Sequence, residues 1–157
     1  MARIVMKFGG TSVADLDRIR HVAGLVEAEA RAGNEVAVVV SAMSGETNRL
    51  VAFVDALAGD SLDGDDIEDE HDVVVASGEQ VTSGLLSIAL RRRGLKARSW
   101  LGWQIPLRTD FAYSKARISG IQSPNMDASL KDGVIGVCAG FQGLTEDDRI
   151  STLGRGG

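Results

Sequence analysis

A single cysteine, Cys138, stands among the 157 residues, so no disulfide can close within the chain and no cysteine-based zinc cluster can form. That fits a reducing compartment such as the cytoplasm. Histidine is nearly as scarce, with His21 and His71 alone. Neither has a nucleophile or a metal-ligand partner at close spacing in the sequence, and both read as surface residues. Aromatic residues make up 4% of the chain, too few for a base-stacking platform. A formal net charge of −5, with much of the acid between 60 and 70, repels nucleic acid, and that run reads as a solvated loop or frayed helix. Long apolar runs are missing as well. Stretches such as 36–40 and 73–76 fall far short of the roughly 20 residues that cross a bilayer, and the start, residues 1–8, reads as a strand and not as a secretion signal. What remains is the composition of one globular domain, 44% hydrophobic and 25% charged, long enough to bury a single core.

The elements follow from periodicity. Residues 3–8 are β-favouring and end at Gly9-Gly10, a strand followed by a tight turn. Leu16, Ile19, Val22, Ala23 and Val26 recur at helical spacing, predicting a helix over about 14–32 that Gly33 stops. The Val-rich run 35–41 has no alternation, the mark of a strand covered on both faces in a parallel sheet. Leu50, Val51, Val54, Leu57 and Ala58 share a helix face ending at Gly59. The cycle then predicts a strand over 72–77 and a helix over 79–93 with Val81, Leu85, Ile88 and Ala89 toward the core. A further strand is expected at 97–101. After Trp103 the pattern weakens around Pro106 and Pro124, with a short helix near 127–131, a buried-type strand at 134–139 holding Cys138 as a small core residue, and a short strand at 150–153. Repeated strand–helix–strand units imply right-handed crossovers and an α/β, three-layer αβα sandwich on a mostly parallel sheet, as one domain. Ligands bind such sheets beyond the carboxyl ends of the strands.

The motifs lie at those ends. Lys7-Phe8-Gly9-Gly10-Thr11-Ser12 joins the first strand to the first helix, where two glycines let backbone N–H groups approach an anion, the helix start adds partial positive charge and Lys7 a full one. The Lys precedes the glycines, so this is no Walker A loop, and the dinucleotide G-x-G-x-x-G spacing is absent. By itself the segment reads as either a turn or a phosphate cradle. Ser41-Ala42-Met43-Ser44-Gly45-Glu46-Thr47-Asn48 follows the second strand, its hydroxyls available to cap a helix or to bind. Ala76-Ser77-Gly78-Glu79-Gln80 sets a carboxylate at a helix start, which the helix dipole alone would favour. Gly140-Phe141-Gln142-Gly143 and Thr152-Leu153-Gly154-Arg155-Gly156-Gly157 end the chain. There the glycines would let Arg155 meet a carboxylate or phosphate in bidentate fashion, unless the segment is simply a flexible terminus.

Taken in order, these motifs resemble the aspartate kinases of the amino acid kinase superfamily across the whole chain. The resemblance implies an enzyme that moves the ATP γ-phosphoryl group to the side-chain carboxylate of L-aspartate, with ATP and Mg2+ required. It implies Lys7 as the catalytic cation, and Phe8, Gly9, Gly10, Ser12 and Ser41 around the phosphates. Ser41 and Thr47 would lie at the reacting centre, Glu79 would meet the substrate ammonium, and Arg155 with Gly156 its α-carboxylate. Asp148 stands where the family usually has glycine, Ser151 where it has threonine, and Trp103 and Pro106 where smaller residues are common. The family continues beyond the match to Gly156-Gly157 into a nucleotide-binding half and ACT domains. The chain is therefore expected to be the acceptor-binding part, weak or inactive alone, with an exposed sheet edge and apolar helix faces that favour a homo-oligomer or a complementing chain. A non-catalytic binding module and a kinase with another acceptor are the alternatives.

Overall fold

The computed structural model describes residues 1–59 and 67–154. Four strands, β1 (Arg3–Phe8), β2 (Glu35–Val40), β3 (Ala97–Trp100) and, later in the chain, Ile135–Ala139, form a wholly parallel sheet. Numbered in chain order, with β4 (Leu107–Thr109) and β5 (Ile118–Ile121) intervening, that last strand is β6, and the sheet order is β1-β2-β6-β3. The helices α1 (Leu16–Arg31) and α4 (Ser77–Arg92) cover one face, and α5 (Pro124–Lys131) covers the other. Alternation on β2 makes the layering visible. Val36, Val38 and Val40 join Ile19, Val22, Val26, Leu86 and Leu90 in the larger core, while Ala37 turns to Trp100, Met126, Leu130 and Cys138. The expected three-layer α/β sandwich is present, with Cys138 buried in it.

A second sheet departs from the expected single one. Its strands are β4, β5, β7 (Gln142–Leu144) and β8 (Ile150–Thr152), in the order β5-β4-β7-β8. Only β8 was expected. At three or four residues each, the strands are too short to carry a readable alternation. Asp148, with φ +59, supplies the left-handed turn of the β7–β8 hairpin, which explains why glycine would also suit that position.

The largest correction falls on the expected strand over 72–77, which is helical. Here α3 (Glu68–Val75) follows α2 (Glu46–Ala58) and runs almost without a break into α4. Three acids, Glu68, Asp69 and Glu70, occupy the first turn of α3 and favour its N-terminus. Within the Val-rich run, Asp72 and Val75 are the buried pair, three apart as on a helix face and not two apart as on a strand. The seven residues before Ile67 in the acidic run lie outside the described residues.

Together α3 and α4 form a rod, Glu68–Arg92, long and apolar enough by length and composition to cross a membrane, yet half of its most apolar stretch is buried inside the fold. The core side expected for α4 is half right: Leu85 and Ala89 pack against the core, but the face is rotated. Val81 and Ile88 are exposed, and Gly78, Thr82, Ser83, Leu86, Ser87 and Leu90 face inward. The inward hydroxyls are satisfied within the helix, as Thr82 Oγ1 donates to Gly78 O at 3.2 Å and Ser87 Oγ to Ser83 O at 2.8 Å, so small polar residues can line a close contact without an unmet bond. On α2 only Leu50 is buried, and Leu57 is 91% exposed. The edge strand β1 leaves Val5 exposed.

Candidate functional site

The carboxyl ends of β1, β2 and β6 come together because their chain ends are tied in sequence. Ser41 N donates to Phe8 O at 3.1 Å, and Gly140 N to Val40 O at 2.9 Å. Above them opens a cavity of about 430 Å3 lined by Lys7, Gly10, Thr11, residues 39–45, Thr47, Asn48, Glu79, Gly140 and Phe141. Of the residues singled out from sequence, Lys7, Gly10, Ser41, Thr47 and Glu79 meet here. Phe8, Gly9 and Ser12 do not line it. Phe8 packs against the larger core, and Gly9 closes the turn by accepting from Ser12 N at 2.9 Å and Val13 N at 3.3 Å. Arg155 and Gly156 lie outside the described residues. Trp103, in the loop after β3, is not among the lining residues.

Each lining group has a local cause. Lys7 is exposed at the last-but-one position of β1, and its ammonium makes no hydrogen bond or ion pair among the described residues. The hydroxyls after β2 do not cap α2. Gly45, with φ +78, occupies the N-cap position without a side-chain bond, which leaves Ser41 and Thr47 facing the cavity. Glu79 arrives through the first turn of α4, and Gly78 makes that approach possible. A Cβ at position 78 would stand 2.8 Å from the Ala42 side chain, so any larger residue would push α4 off the β2–α2 loop.

Glu79 is the unusual group. It is 3% exposed, and one carboxylate oxygen accepts from Ala42 N at 3.0 Å. The other oxygen, Oε2, is buried with no partner among the described residues. Burial pushes its pKa up to about 7, against the pull of the Ala42 N–H and its own N–H. An unpartnered buried carboxylate oxygen costs free energy that a cationic hydrogen-bond donor would offset. Across the same cavity Lys7 offers an unpaired cation. The site therefore presents one place for a ligand cation and another for a ligand anion.

Sequence reading passed over two contributors, Ala42 and Phe141, and misjudged His71, which lies outside the cavity. Ala42 acts through its backbone N–H, which no side-chain pattern reveals. Phe141 lines the cavity at φ +67, and its place between two glycines was the only signal. His71, expected to be a lone surface residue, is half-buried, with Nδ1 3.2 Å from Asp72 Oδ1 and 3.3 Å from Ser114 Oγ.

A sequence model described as the amino acid kinase family matches residues 2–157. An aspartate kinase of Pseudomonas fluorescens is 49% identical over all 157 residues, which make up 37% of that protein. Among solved structures, aspartate kinase from Synechocystis superposes with a TM-score of 0.76 at 36% identity, over 98% of this chain and 24% of that one. E. coli aspartokinase III in complex with aspartate and ADP gives 0.78 at 25% identity, over 100% of this chain and 44% of that one. The chain thus spans well under half the length of each.

Proposed function

This chain belongs to the amino acid kinase family, and from that premise we propose that it is the N-terminal, acceptor-binding part of an aspartate kinase, passing the γ-phosphoryl group of ATP to the side-chain carboxylate of L-aspartate and yielding 4-phospho-L-aspartate. One observation carries the reading: Glu79, whose buried Oε2 has no partner among the described residues, lines the same cavity as Lys7, whose ammonium is unpaired among them. Aspartate brings an ammonium for Glu79 and a second, reacting carboxylate. A carboxylate attacking a polyphosphate joins two anions, and Lys7 offsets that repulsion as charge builds on the transferring group. Ser41 and Thr47 supply hydroxyls at the lip, and Arg155, followed by Gly156, would take the α-carboxylate in bidentate fashion. The acceptor carboxylate is already ionised at neutral pH, so positioning matters more than a general base.

Magnesium would enter on the polyphosphate, whose oxygens it prefers, and would neutralise phosphate charge there. Among the described residues no cluster of three or more acids, histidines or cysteines is suited to hold a metal. Lys7 and the cavity N–H groups are then the protein's own share of that charge. Phe8, Gly9 and Ser12 would act by shaping the β1–α1 turn.

Association with a second copy is part of the same reading, supported by the exposed apolar side chains of Val81 and Ile88 on α4, and the cytoplasm suits a chain whose one cysteine is buried and free. The test is ATP-dependent aspartyl hydroxamate formation by the protein as its gene encodes it. Glu79→Gln is expected to raise KM for aspartate about tenfold or more, with KM for ATP little changed. Lys7→Ala is expected to lower kcat about 100-fold or more. An unchanged aspartate KM in Glu79→Gln, or glutamate used as well as aspartate, would overturn the assignment.

A further inference from the structure

Asp72 lies outside the cavity, fully buried on α3, and binds more donors than any other carboxylate among the described residues. Its Oδ2 accepts from Thr152 N at 2.7 Å and Ser114 N at 2.9 Å. Its Oδ1 accepts from Thr152 Oγ1 at 2.8 Å and Ser114 Oγ at 3.3 Å, with His71 Nδ1 3.2 Å away. A carboxylate with both oxygens so engaged is a fixed point, because every alternative rotamer leaves buried N–H groups without an acceptor. Ser114 is held by these bonds at φ +63, a conformation that a serine rarely takes unassisted.

Asp72 and Glu79 are seven residues apart, two helical turns, and so leave the α3–α4 rod on one face. Ala76 lies between them, and its carbonyl accepts from Gln142 Nε2 at 3.0 Å, while Gln142 Oε1 accepts from Gly102 N. One face of the rod is therefore anchored at Asp72 to β8 and the Ser114 loop, at Ala76 to β7, and at Glu79 to the β2–α2 loop. Among the described residues Glu79 itself has a single external bond, to Ala42 N, and α4 has no side-chain cap. Where its free oxygen points is set by how the rod is turned.

We propose that Asp72 is a positioning residue: by clamping the rod to Thr152 and Ser114 it sets the rotation and depth at which Glu79 enters the cavity. The proposal rests on the reading of Glu79 as the partner of the substrate ammonium.

Steady-state kinetics with aspartate and ATP, on the protein as its gene encodes it, test both. Asp72→Asn removes the charge and leaves one oxygen for the two N–H donors, with an NH2 in place of the acceptor that the Thr152 and Ser114 hydroxyls share. It is expected to raise the aspartate KM about tenfold, with the ATP KM within about twofold. Thr152→Val removes only the hydroxyl donor and carries the test if Asp72→Asn fails to fold. It is expected to raise the aspartate KM about threefold, and Thr152→Ser to restore it. In a Glu79→Gln background either change should add less than about twofold, since both act through the same carboxylate. Equal losses with and without Glu79, or losses in kcat and ATP KM with the aspartate KM unmoved, would reduce Asp72 to a structural residue. If Glu79→Gln alone leaves the aspartate KM unchanged, the Glu79 reading falls first, and the Asp72 proposal falls with it.

Discussion

The two sheets are held by different physics. The parallel sheet is bound by apolar burial: Val38, Val137, Leu86 and Leu90 are wholly inaccessible and pack between the sheet and α4. The second sheet has strands of three or four residues and is stitched by polar bonds. Thr109 Oγ1 and Ser151 Oγ share a buried hydrogen bond of 2.7 Å, Arg108 reaches Thr145 O at 2.8 Å, and Arg149 pairs with Asp69 and Glu70. Burial is non-directional and tolerates small shifts, whereas a buried hydrogen bond fails when its partner is lost. The candidate site draws Lys7 and Ser41 from the apolar sheet, and Glu79 from a rod whose rotation the polar sheet restrains.

That contrast can be broken at several points. The largest loss should come from the apolar side. Leu86→Ala, between α4 and the sheet, is expected to cost about 3 kcal/mol or more in urea unfolding, because the rigid core leaves a cavity. Next is the pH response of Glu79, whose pKa is about 7 in the fold and 4.5 unperturbed. Below pH 4.5 it is protonated in both states. Between 4.5 and 7 the unfolded chain loses its proton first, so stability from this group falls as pH rises and levels off above 7. Its full span is about 3 kcal/mol. Glu79→Gln should flatten that slope in denaturation curves taken across the window, and bound aspartate should draw the proton off the wild type near neutrality.

On the polar side, Thr109→Val leaves the Ser151 hydroxyl with a lost partner and should cost about 1–2 kcal/mol. A cost as large as that of Leu86→Ala would mean the second sheet is no mere appendage of the first. The smallest effect is expected at Asp148, whose left-handed φ opposes its exposed ion pair with Arg108. Asp148→Gly relieves the first and removes the second, a net change of about 0.5 kcal/mol or less in thermal unfolding.

Legibility followed the same division. The strands of the parallel sheet, α1 and the stop at Gly33 were readable because burial on both faces imposes long apolar runs and helical spacing. The strand expected at 72–77 failed because a Val-rich run says only that β geometry is tolerated, while the acids before it and the anchored Asp72 selected a helix. On α4, apolar spacing pointed to Val81 and Ile88, yet the side that packs is the one with Thr82, Ser83 and Ser87. Small hydroxyls that bond their own helix approach more closely than branched apolar residues can. Among the site residues, those on strand ends were found from their motifs. Ala42 was missed because its contribution is a backbone N–H.

Sequence alone determined the three-layer class, the places where strands hand over to loops, and the residue types gathered there, since periodicity and glycine placement act locally and survive in any one chain. Only the tertiary structure decided that the loop after β2 and the start of α4 meet at Gly78, that one Glu79 oxygen is left without a partner among the described residues, and that Asp72 ties the rod to Thr152, 80 positions away. Those facts depend on which buried polar groups find one another across the fold, a matching between distant segments that no local pattern records.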